Sequence, residues 1–184
     1  MIITHHRENL INAISYFATN TRYCGKTKLM KLLFFLDFCH FKQTGKPVTG
    51  LEYYAWRRGP VPRDLFKELD DMKPDLKAAI NVIPTEGFHQ IIPKKKFSTT
   101  HFTNREIRLL ENLSFIFKDA KAQDMVEVSH LRNKPWDKTL KEKGRNQKID
   151  YLLAVDNMED SLPYDEAKER MEEISEVHQV LGTA

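Results

Sequence analysis

The sequence predicts a single compact α+β domain that is predominantly α-helical. A segment at about residues 27–42 is apolar on nearly every side, which predicts a helix at the centre of the core. An aromatic segment at residues 51–56, bounded by Gly50 and Gly59, favours a small antiparallel β element. Several further segments carry apolar residues at helical spacing. With 184 residues, the chain is long enough to bury a substantial core.

Two helices are predicted in the N-terminal quarter of the chain. Apolar residues at helical spacing over residues 5–19 predict an amphipathic helix that ends in the polar run 19–22. In the following central helix, only Lys28, Lys31 and one neighbouring face are expected to reach water. The segment 45–47 (Gly-Lys-Pro) ends that helix.

The middle of the chain predicts a strand, a helix start and a hairpin. Residues 51–56 predict the strand, and the sequence Arg-Arg-Gly-Pro-Val-Pro at 57–62 is not expected to continue any regular element. Pro62 suits the first position of a following helix. Residues 82–84 and 88–92 predict a hairpin, with its prolines at an edge or an end.

The C-terminal half carries helix signals of unequal strength. Thr103 and Glu106 have the spacing of a capping box, which predicts a helix start. A further helix is predicted to start at Asp124, and residues 135–150 read as a basic, irregular stretch followed by an apolar turn at 151–153. Pro163 opens a final predicted helix with one narrow apolar stripe. The stripe consists of Tyr164, Ala167, Met171, Ile174, Val177 and Leu181.

Charge and composition suggest how the chain is organised. The total charge is +3, but the residues from Glu159 onward carry eight acidic and two basic side chains, a net of −6, so the preceding part carries +9. We therefore predict a domain over residues 1–157 and an acidic amphipathic helix over 158–184, packed on that domain or used for partner contact. Two cysteines, no long apolar stretch and no signal-peptide pattern predict a cytoplasmic protein with no membrane contact.

The sequence predicts no catalytic, cofactor or metal site. Gly25-Lys26-Thr27 lacks the earlier glycine of a phosphate-binding loop, because position 20 is asparagine. Asp37 and His40 lie one helical turn apart, and a buried hydrogen bond between them explains both residues better than a metal or acid–base site. His130 follows a serine, but no acid completes a triad. The sequence therefore predicts that the chain is not an enzyme.

A cluster of aromatic and arginine residues lies around the predicted strand and turn. Tyrosine, tryptophan and arginine dominate binding hot spots, although the same residues also suit a core, and the two roles are equally compatible with the segment. The predicted partner-binding residues are Tyr54, Trp56, Arg57, Arg58, Pro60, Val61, Arg63 and Phe66. Basic clusters at 94–96 and 134–148 leave a nucleic-acid-binding regulatory protein as the alternative, although no known nucleic-acid-binding motif accompanies them.

Three segments together resemble the Panacea domain, the family of SocA-like antitoxins. They are Lys28–Asp37 with His40, then residues 45–62 with the sequence Tyr-Ala-Trp-Arg-Arg-Gly-Pro-Val-Pro at their end, and Ser129-His130 followed by Pro135-Trp136. The resemblance covers roughly residues 8–155, and its middle segment is the most specific.

The resemblance implies an antitoxin of a bacterial or phage toxin–antitoxin system. Its partner would be a cognate toxin encoded by an adjacent gene and neutralised by direct binding. SocA-like members can also deliver the toxin to a cytoplasmic protease, so the resemblance implies that protease as a second candidate partner. It also implies a mostly helical fold with a small sheet, and it supplies no catalytic residues to carry over.

Overall fold

The predicted fold class is confirmed by the structure, a computed structural model that describes residues 5–181. Within that range the backbone forms eight α-helices, one short 3-10 helix and two separate two-stranded antiparallel sheets. The elements in chain order are α1 (His6–Asn20), α2 (Lys26–Thr44), β1 (Tyr53–Trp56), β2 (Gly59–Pro62), α3 (Arg63–Glu68), α4 (Pro74–Ala79), β3 (Ile80–Thr85), β4 (Phe88–Pro93), α5 (Asn104–Ile116), α6 (Ala122–Ser129), α7 (Pro135–Lys143), the 3-10 helix Tyr151–Ala154 and α8 (Tyr164–Leu181).

Helix α2 is the axis of the fold, as its composition predicts. It packs against α1, α5, α6, α8, β2, β4 and the 3-10 helix. Leu29, Leu32, Leu33 and Leu36 are completely buried along it. A helix that is apolar on nearly every side is stable only when neighbouring elements cover all of those sides.

The expectation that Lys28 and Lys31 reach water is wrong, because both side chains are buried. The Lys28 ammonium donates hydrogen bonds to the carbonyl oxygens of Arg22, Lys118 and Ala120, at 2.7, 3.2 and 2.7 Å. Three acceptors match the three N–H donors of an ammonium, so this buried cation is fully satisfied. It joins the start of α2 to the loop that follows α5.

Residues 57–62 include a regular strand, contrary to the prediction. Tyr53 pairs with Pro62 and Trp56 with Gly59, so that Arg57 and Arg58 form a two-residue turn. Proline is tolerated in β2 because an edge strand does not need every N–H group for its ladder. Helix α3 then starts at Arg63, one residue later than predicted, with Pro62 at the N-cap.

The second sheet is the hairpin predicted from residues 82–92. β3 and β4 pair antiparallel from Ile80 opposite Pro93 to Thr85 opposite Phe88. Gly87 lies in the turn with a φ of 91°, a conformation that glycine adopts without strain. The N–H of Ile91 donates to the Cys24 carbonyl oxygen at 2.9 Å, which ties this hairpin to the start of α2.

The capping box at the start of α5 is confirmed. The N–H of Glu106 donates to Thr103 Oγ1 at 3.3 Å, and the N–H of Thr103 donates to Glu106 Oε2 at 2.7 Å. The start predicted for α6 is wrong by two residues: the helix begins at Ala122, and Asp124 accepts a hydrogen bond from the Lys121 N–H within its first turn.

Residues 135–150, predicted to be irregular, contain helix α7. Pro135 occupies the first turn, where a helix tolerates a missing N–H group, and Trp136 and Thr139 are buried. This basic segment has too few apolar residues for a helical repeat to be recognised in the sequence. The apolar turn at 151–153 is confirmed as the 3-10 helix.

Helix α8 packs its first turns against the C-terminal end of α2. Ala167 is completely buried beside Phe41 and Leu152, and Arg170 Nη1 donates to the Thr44 carbonyl oxygen at 2.9 Å. Two members of the predicted stripe, Val177 and Leu181, have side chains outside the described part. No helix in the described range has the length and apolar character needed to cross a membrane.

Candidate protein-interaction surface

The Arg57–Arg58 turn is held in place by two polar contacts beneath it. The buried ammonium of Lys31 donates to the Pro60 carbonyl oxygen at 2.8 Å. On the other strand, Trp136 Nε1 donates to the Trp56 carbonyl oxygen at 3.0 Å. The backbone on both sides of the turn is therefore fixed from the core.

Gly59 makes this close approach possible. Its φ is 99°, in the region that favours glycine. A Cβ atom at this position would lie 2.7 Å from Ser129 Oγ and 2.9 Å from Lys31 Nζ. Any other residue would therefore push the turn away from the groups that support it.

The first strand of the hairpin is also fixed along its second edge. Ala55 donates its N–H to the Gln147 carbonyl oxygen and accepts from the N–H of Asn146, both at 2.9 Å. The N–H of Ile149 donates to the Tyr53 carbonyl oxygen at 2.8 Å. Because β1 has partners on both edges, the turn projects from a rigid base.

Lys31 is an unusual support for a turn. Its side chain is 1% exposed, and the Pro60 carbonyl is the one acceptor in the described part that its ammonium contacts. Burial lowers the pKa of Lys31 to about 7, because a charged amine loses its hydration there. The protein therefore buries an amine beneath the exposed arginines, although burial of a charged amine destabilises the folded state.

His130 and Trp136 form a stacked pair beside Lys31. Their ring centroids lie 3.8 Å apart with an interplanar angle of 6°. Burial and the nearby ammonium of Lys31 lower the pKa of His130, which favours the neutral ring. Ser129 Oγ donates to the Val126 carbonyl oxygen at 2.9 Å, so this hydroxyl has its own partner within α6.

The arginine and aromatic side chains of the predicted surface divide by exposure. Arg57, Arg58 and Arg63 are exposed, while Tyr54 and Trp56 are half-buried. The guanidinium carbon of Arg63 lies 4.3 Å from the centroid of the Tyr54 ring, a cation–π contact. Among the described side chains, Arg57 and Arg58 have no carboxylate within 4.0 Å.

The remaining predicted residues lie behind this exposed layer. Phe66 is half-buried and meets Trp56 edge to face, with ring centroids 5.2 Å apart. Pro60 and Val61 are buried, so they support the turn from within. The hairpin thus brings all eight predicted residues into one region, but only part of that set presents side chains to solvent.

The hydrogen bond predicted between Asp37 and His40 is replaced by other partners. Asp37 accepts from the Thr49 N–H at 2.7 Å, from Thr49 Oγ1 at 2.5 Å and from the Tyr53 hydroxyl at 2.8 Å. Burial raises the pKa of Asp37 to about 6, although these donors oppose the shift. His40 Nδ1 instead contacts the Lys46 carbonyl oxygen at 2.7 Å. Asp37 therefore anchors the segment that leads into β1.

Metal-binding and nucleophilic chemistry have little support in the described residues. Within residues 5–181, no group of three or more His, Cys, Asp or Glu side chains could hold a metal ion. Burial raises the pKa of Cys24 to about 11, so its thiol is a poor nucleophile at neutral pH. Gly25 is the N-cap of α2, which explains the Gly-Lys-Thr sequence as a helix start.

Sequence reasoning missed Lys31, and it missed a cleft of about 1020 Å³ between the C-terminal end of α2 and α8. One signal for Lys31 was present. The positions one and two turns further along its face of α2 are Phe34, Phe35 and Phe38, so the face it shares is aromatic rather than polar. No short segment of the sequence indicates the cleft, because residues far apart in the chain line it.

Comparison with models of known protein families shows which family this chain belongs to. Residues 29–137, more than half of the sequence, match the family described as antitoxin SocA-like, Panacea domain. The chain belongs to this Panacea family. The family resemblance seen in the sequence is thereby confirmed.

The Panacea match covers most of the candidate surface and its support. It runs from the second turn of α2 to the first turn of α7, and so includes Lys31, the β1–β2 hairpin, His130 and Trp136. It leaves out α8 and the 3-10 helix. No curated protein and no solved structure matches the chain. Membership of an antitoxin family supports an antitoxin role in general.

Proposed function

We propose that this Panacea-family protein neutralises a cognate toxin, encoded by an adjacent gene, through direct protein–protein binding. The binding surface in this proposal is the arginine turn surface, defined as Arg57, Arg58, Arg63, Tyr54, Trp56 and Phe66. The observation that carries the proposal is the rigid turn: Arg57 and Arg58, without a carboxylate partner among the described side chains, project to solvent from a hairpin anchored at Pro60 and Trp56.

The chemistry of this surface suits a protein partner with acidic side chains. Arginine forms bidentate hydrogen bonds with carboxylates, and Arg57 and Arg58 have no such partner among the described side chains. Aromatic residues beside arginines are typical of binding hot spots. A turn that is already rigid loses little conformational entropy on binding, which favours affinity.

Neutralisation by binding requires no catalytic groups, and we propose that the chain is not an enzyme. Lys31, Ser129 and His130 do lie near one another beneath the turn. However, Lys31 and Ser129 are buried, and the Ser129 hydroxyl donates to a backbone carbonyl. This arrangement supports the hairpin from the core side.

Growth rescue during co-expression with the toxin of the neighbouring gene tests the proposal. The informative variant is the double charge reversal Arg57→Glu with Arg58→Glu. Its matched control is Lys95→Glu with Lys96→Glu, which makes the same charge change at exposed positions of another loop. We expect the control to rescue growth and the arginine variant to fail while keeping its fold. Full rescue by the arginine variant would remove this turn from the proposal.

The adaptor role adds a cytoplasmic protease as a second partner, and α8 supplies a candidate contact for it. Glu172, Glu173 and Glu176 are exposed on that helix. The half-life of the toxin in cells, measured with wild-type protein and with all three residues changed to glutamine, tests this contact. Equal toxin half-lives with growth rescue intact would exclude these glutamates as the protease contact.

The alternative function, a nucleic-acid-binding regulator, uses the basic body of the chain with its clusters at 94–96 and 134–148. Phosphate contacts make binding steeply salt-dependent, so affinity for duplex DNA and for single-stranded RNA is measured at low and moderate salt. Under the toxin-binding proposal we expect no nucleic-acid binding at moderate salt. We also expect that any binding left at low salt does not correlate with growth rescue.

A further inference from the structure

The cleft between the C-terminal end of α2 and α8 is lined by three residues that present hydrogen-bond acceptors, His40, Glu106 and Asn9. It is lined by residues of α1, α2, α5, α8, the loop after α2 and the segment around the 3-10 helix. Its volume of about 1020 Å³ is at the upper end of the range for small-molecule sites, roughly 300–1,000 Å³. It lies apart from the arginine turn surface and shares none of its residues.

His40 presents an acceptor to this cleft. Its Nδ1 lies 2.7 Å from the Lys46 carbonyl oxygen, and a carbonyl oxygen only accepts, so Nδ1 carries the hydrogen. Burial lowers the pKa of His40, which favours the neutral ring at neutral pH. In the neutral ring with a hydrogen on Nδ1, Nε2 is a lone-pair acceptor.

Glu106 presents a second acceptor directly opposite. Its Oε2 receives both the N–H and the hydroxyl of Thr103 in the capping box, at 2.7 and 2.9 Å. Its Oε1 faces His40 Nε2 at 3.9 Å, too far for a hydrogen bond between them. Among the described side chains, His40 is the one potential cation within 4.0 Å of this carboxylate.

Asn9 supplies a third acceptor from α1. Its side chain is 6% exposed and lines the same cleft. Its Nδ2 reaches the Val48 carbonyl oxygen at 3.5 Å, while its Oδ1 is buried without a hydrogen-bond partner among the described residues. A buried acceptor without a donor is costly, so Asn9 Oδ1, in the cleft that Glu106 and His40 also line, favours an occupant that carries N–H groups.

The lining also combines apolar side chains with polar and charged ones, among them Lys46, Lys143 and Lys148. Leu51, Ile149, Met171 and Ile174 contribute aliphatic side chains, and Tyr151 contributes a ring. An occupant that suits both parts therefore joins a nitrogen rich in N–H donors to an apolar body. A donor nitrogen about 2.8 Å from each of two acceptors fits between atoms that lie 3.9 Å apart.

We propose that this cleft binds a small organic cation, an amine or amidine with an apolar body, whose N–H groups donate to Glu106 and His40. The apolar body packs against the aliphatic side chains of the 3-10 region and α8. The positive charge pairs with Glu106 at Oε1, the carboxylate oxygen that Thr103 does not contact. This site is independent of toxin binding, so the two proposals stand or fall separately.

Binding of benzamidine to the full chain at pH 7.5 is the direct test. Benzamide, a neutral analogue of nearly the same shape, is the ligand control, and both are titrated into ¹⁵N-labelled protein. We expect benzamidine to shift the resonances of Asn9, His40 and the segment 149–151, and to bind at least about tenfold more tightly than benzamide, as expected for a charge-assisted hydrogen bond. Equal binding of the two compounds, or no binding at millimolar concentration, would overturn the proposal.

The variant Glu106→Gln removes the charge and keeps the helix cap, because glutamine also serves at this position of a capping box. We expect it to bind benzamidine at least about tenfold more weakly, with an unchanged circular dichroism spectrum. Glu111→Gln, the same charge change at an exposed position of α5, is the matched control and should bind like wild type. Equal loss in both variants would contradict a site at Glu106.

A second measurement tests the acceptor at His40 without any ligand. Long-range ¹H–¹⁵N correlation spectra distinguish protonated from unprotonated imidazole nitrogens. We expect a hydrogen on Nδ1 and a bare Nε2 at pH 7.5. A hydrogen on Nε2 at that pH would supply the missing donor from the protein itself and overturn the proposal.

Discussion

Replacing the buried Lys31 by methionine is expected to make the protein more stable at neutral pH. The lysine side chain is 1% exposed and donates to the carbonyl oxygen of Pro60. Methionine has a similar length and no charge, so it fills the same space without the cost of burying an ammonium group. Stability that increases on removal of a polar contact would show that Lys31 is retained for a reason other than folding.

The size of the effect follows from the pKa of the amine. Burial lowers that pKa from 10.5 to about 7. At about 1.4 kcal/mol per pKa unit, the folded state is destabilised by about 4 kcal/mol at pH 7 relative to an uncharged side chain. Methionine leaves the Pro60 carbonyl without its donor, which costs about 1–3 kcal/mol. The net expectation is a gain of about 1–3 kcal/mol in the free energy of unfolding.

The same pKa shift predicts a dependence on pH. Because the folded pKa of Lys31 lies below the unfolded value, the destabilisation is absent above pH 10.5, grows as the pH falls, and levels off below about 7. Wild-type stability should therefore contain a component that rises between pH 7 and 10. In Lys31→Met that component should be missing.

Urea unfolding at pH 7 and pH 9.5, followed by circular dichroism, measures both effects. Lys28→Met is the matched control: the same substitution in the same buried helix, but one that leaves three carbonyl oxygens without their donor. We expect that control to lose about 2–4 kcal/mol. The reasoning would be refuted if both variants lost stability equally, or if Lys31→Met kept the wild-type dependence on pH.

Three further substitutions test other parts of the structure by urea unfolding. Gly59→Ala should lose about 2–4 kcal/mol, because alanine is strained at this φ and its Cβ meets Ser129 Oγ; a loss below 0.5 kcal/mol would contradict the close packing. Thr103→Ala should lose about 1 kcal/mol with the capping box, and an unchanged midpoint would count against that cap. Asp37→Asn should lose about 2–4 kcal/mol at pH 7, because an amide N–H₂ replaces an oxygen that accepts from buried donors. Burial raises the folded pKa of Asp37 from 3.8 to about 6. The stability that this group contributes is therefore full below pH 3.8, declines as the pH rises through 6, and then levels off. The difference in stability between wild type and variant should show that slope, and a flat difference would refute it.

Local signals in the sequence predicted local structure well. The capping box at Thr103 involves residues three apart, so its hydrogen bonds depend on no distant part of the chain. The hairpin of β3 and β4 closes through one glycine turn for the same reason. The apolar composition of α2 predicted its central place, because such a helix must be covered on every side.

One group of errors concerns contacts made by distant residues. An apolar helix pattern does not show whether a lysine reaches water, and only the fold places the Pro60 carbonyl within reach of Lys31. Likewise, spacing placed Asp37 and His40 one turn apart, yet Asp37 meets Thr49 because the loop after α2 folds back. Sequence spacing limits which side chains share a face and does not choose their partners.

The sequence does not show which residues of the candidate surface are exposed. Tyrosine, tryptophan and arginine around one turn suggested either a core or an interface. The structure divides them, because Val61 lies in the core while Arg57 and Arg58 face solvent. That division depends on the pairing of β1 with β2, which two prolines in the second strand concealed from sequence analysis.

The central claim, toxin binding through the arginine turn surface, is tested most directly by isothermal titration of the purified chain with the toxin of the adjacent gene. The wild-type protein and the Lys95→Glu, Lys96→Glu control should bind with equal affinity. The Arg57→Glu, Arg58→Glu variant should bind at least about 100-fold more weakly, as expected when charged hot-spot residues are reversed. Wild-type affinity in the arginine variant, or no binding by the wild-type protein, would contradict the account.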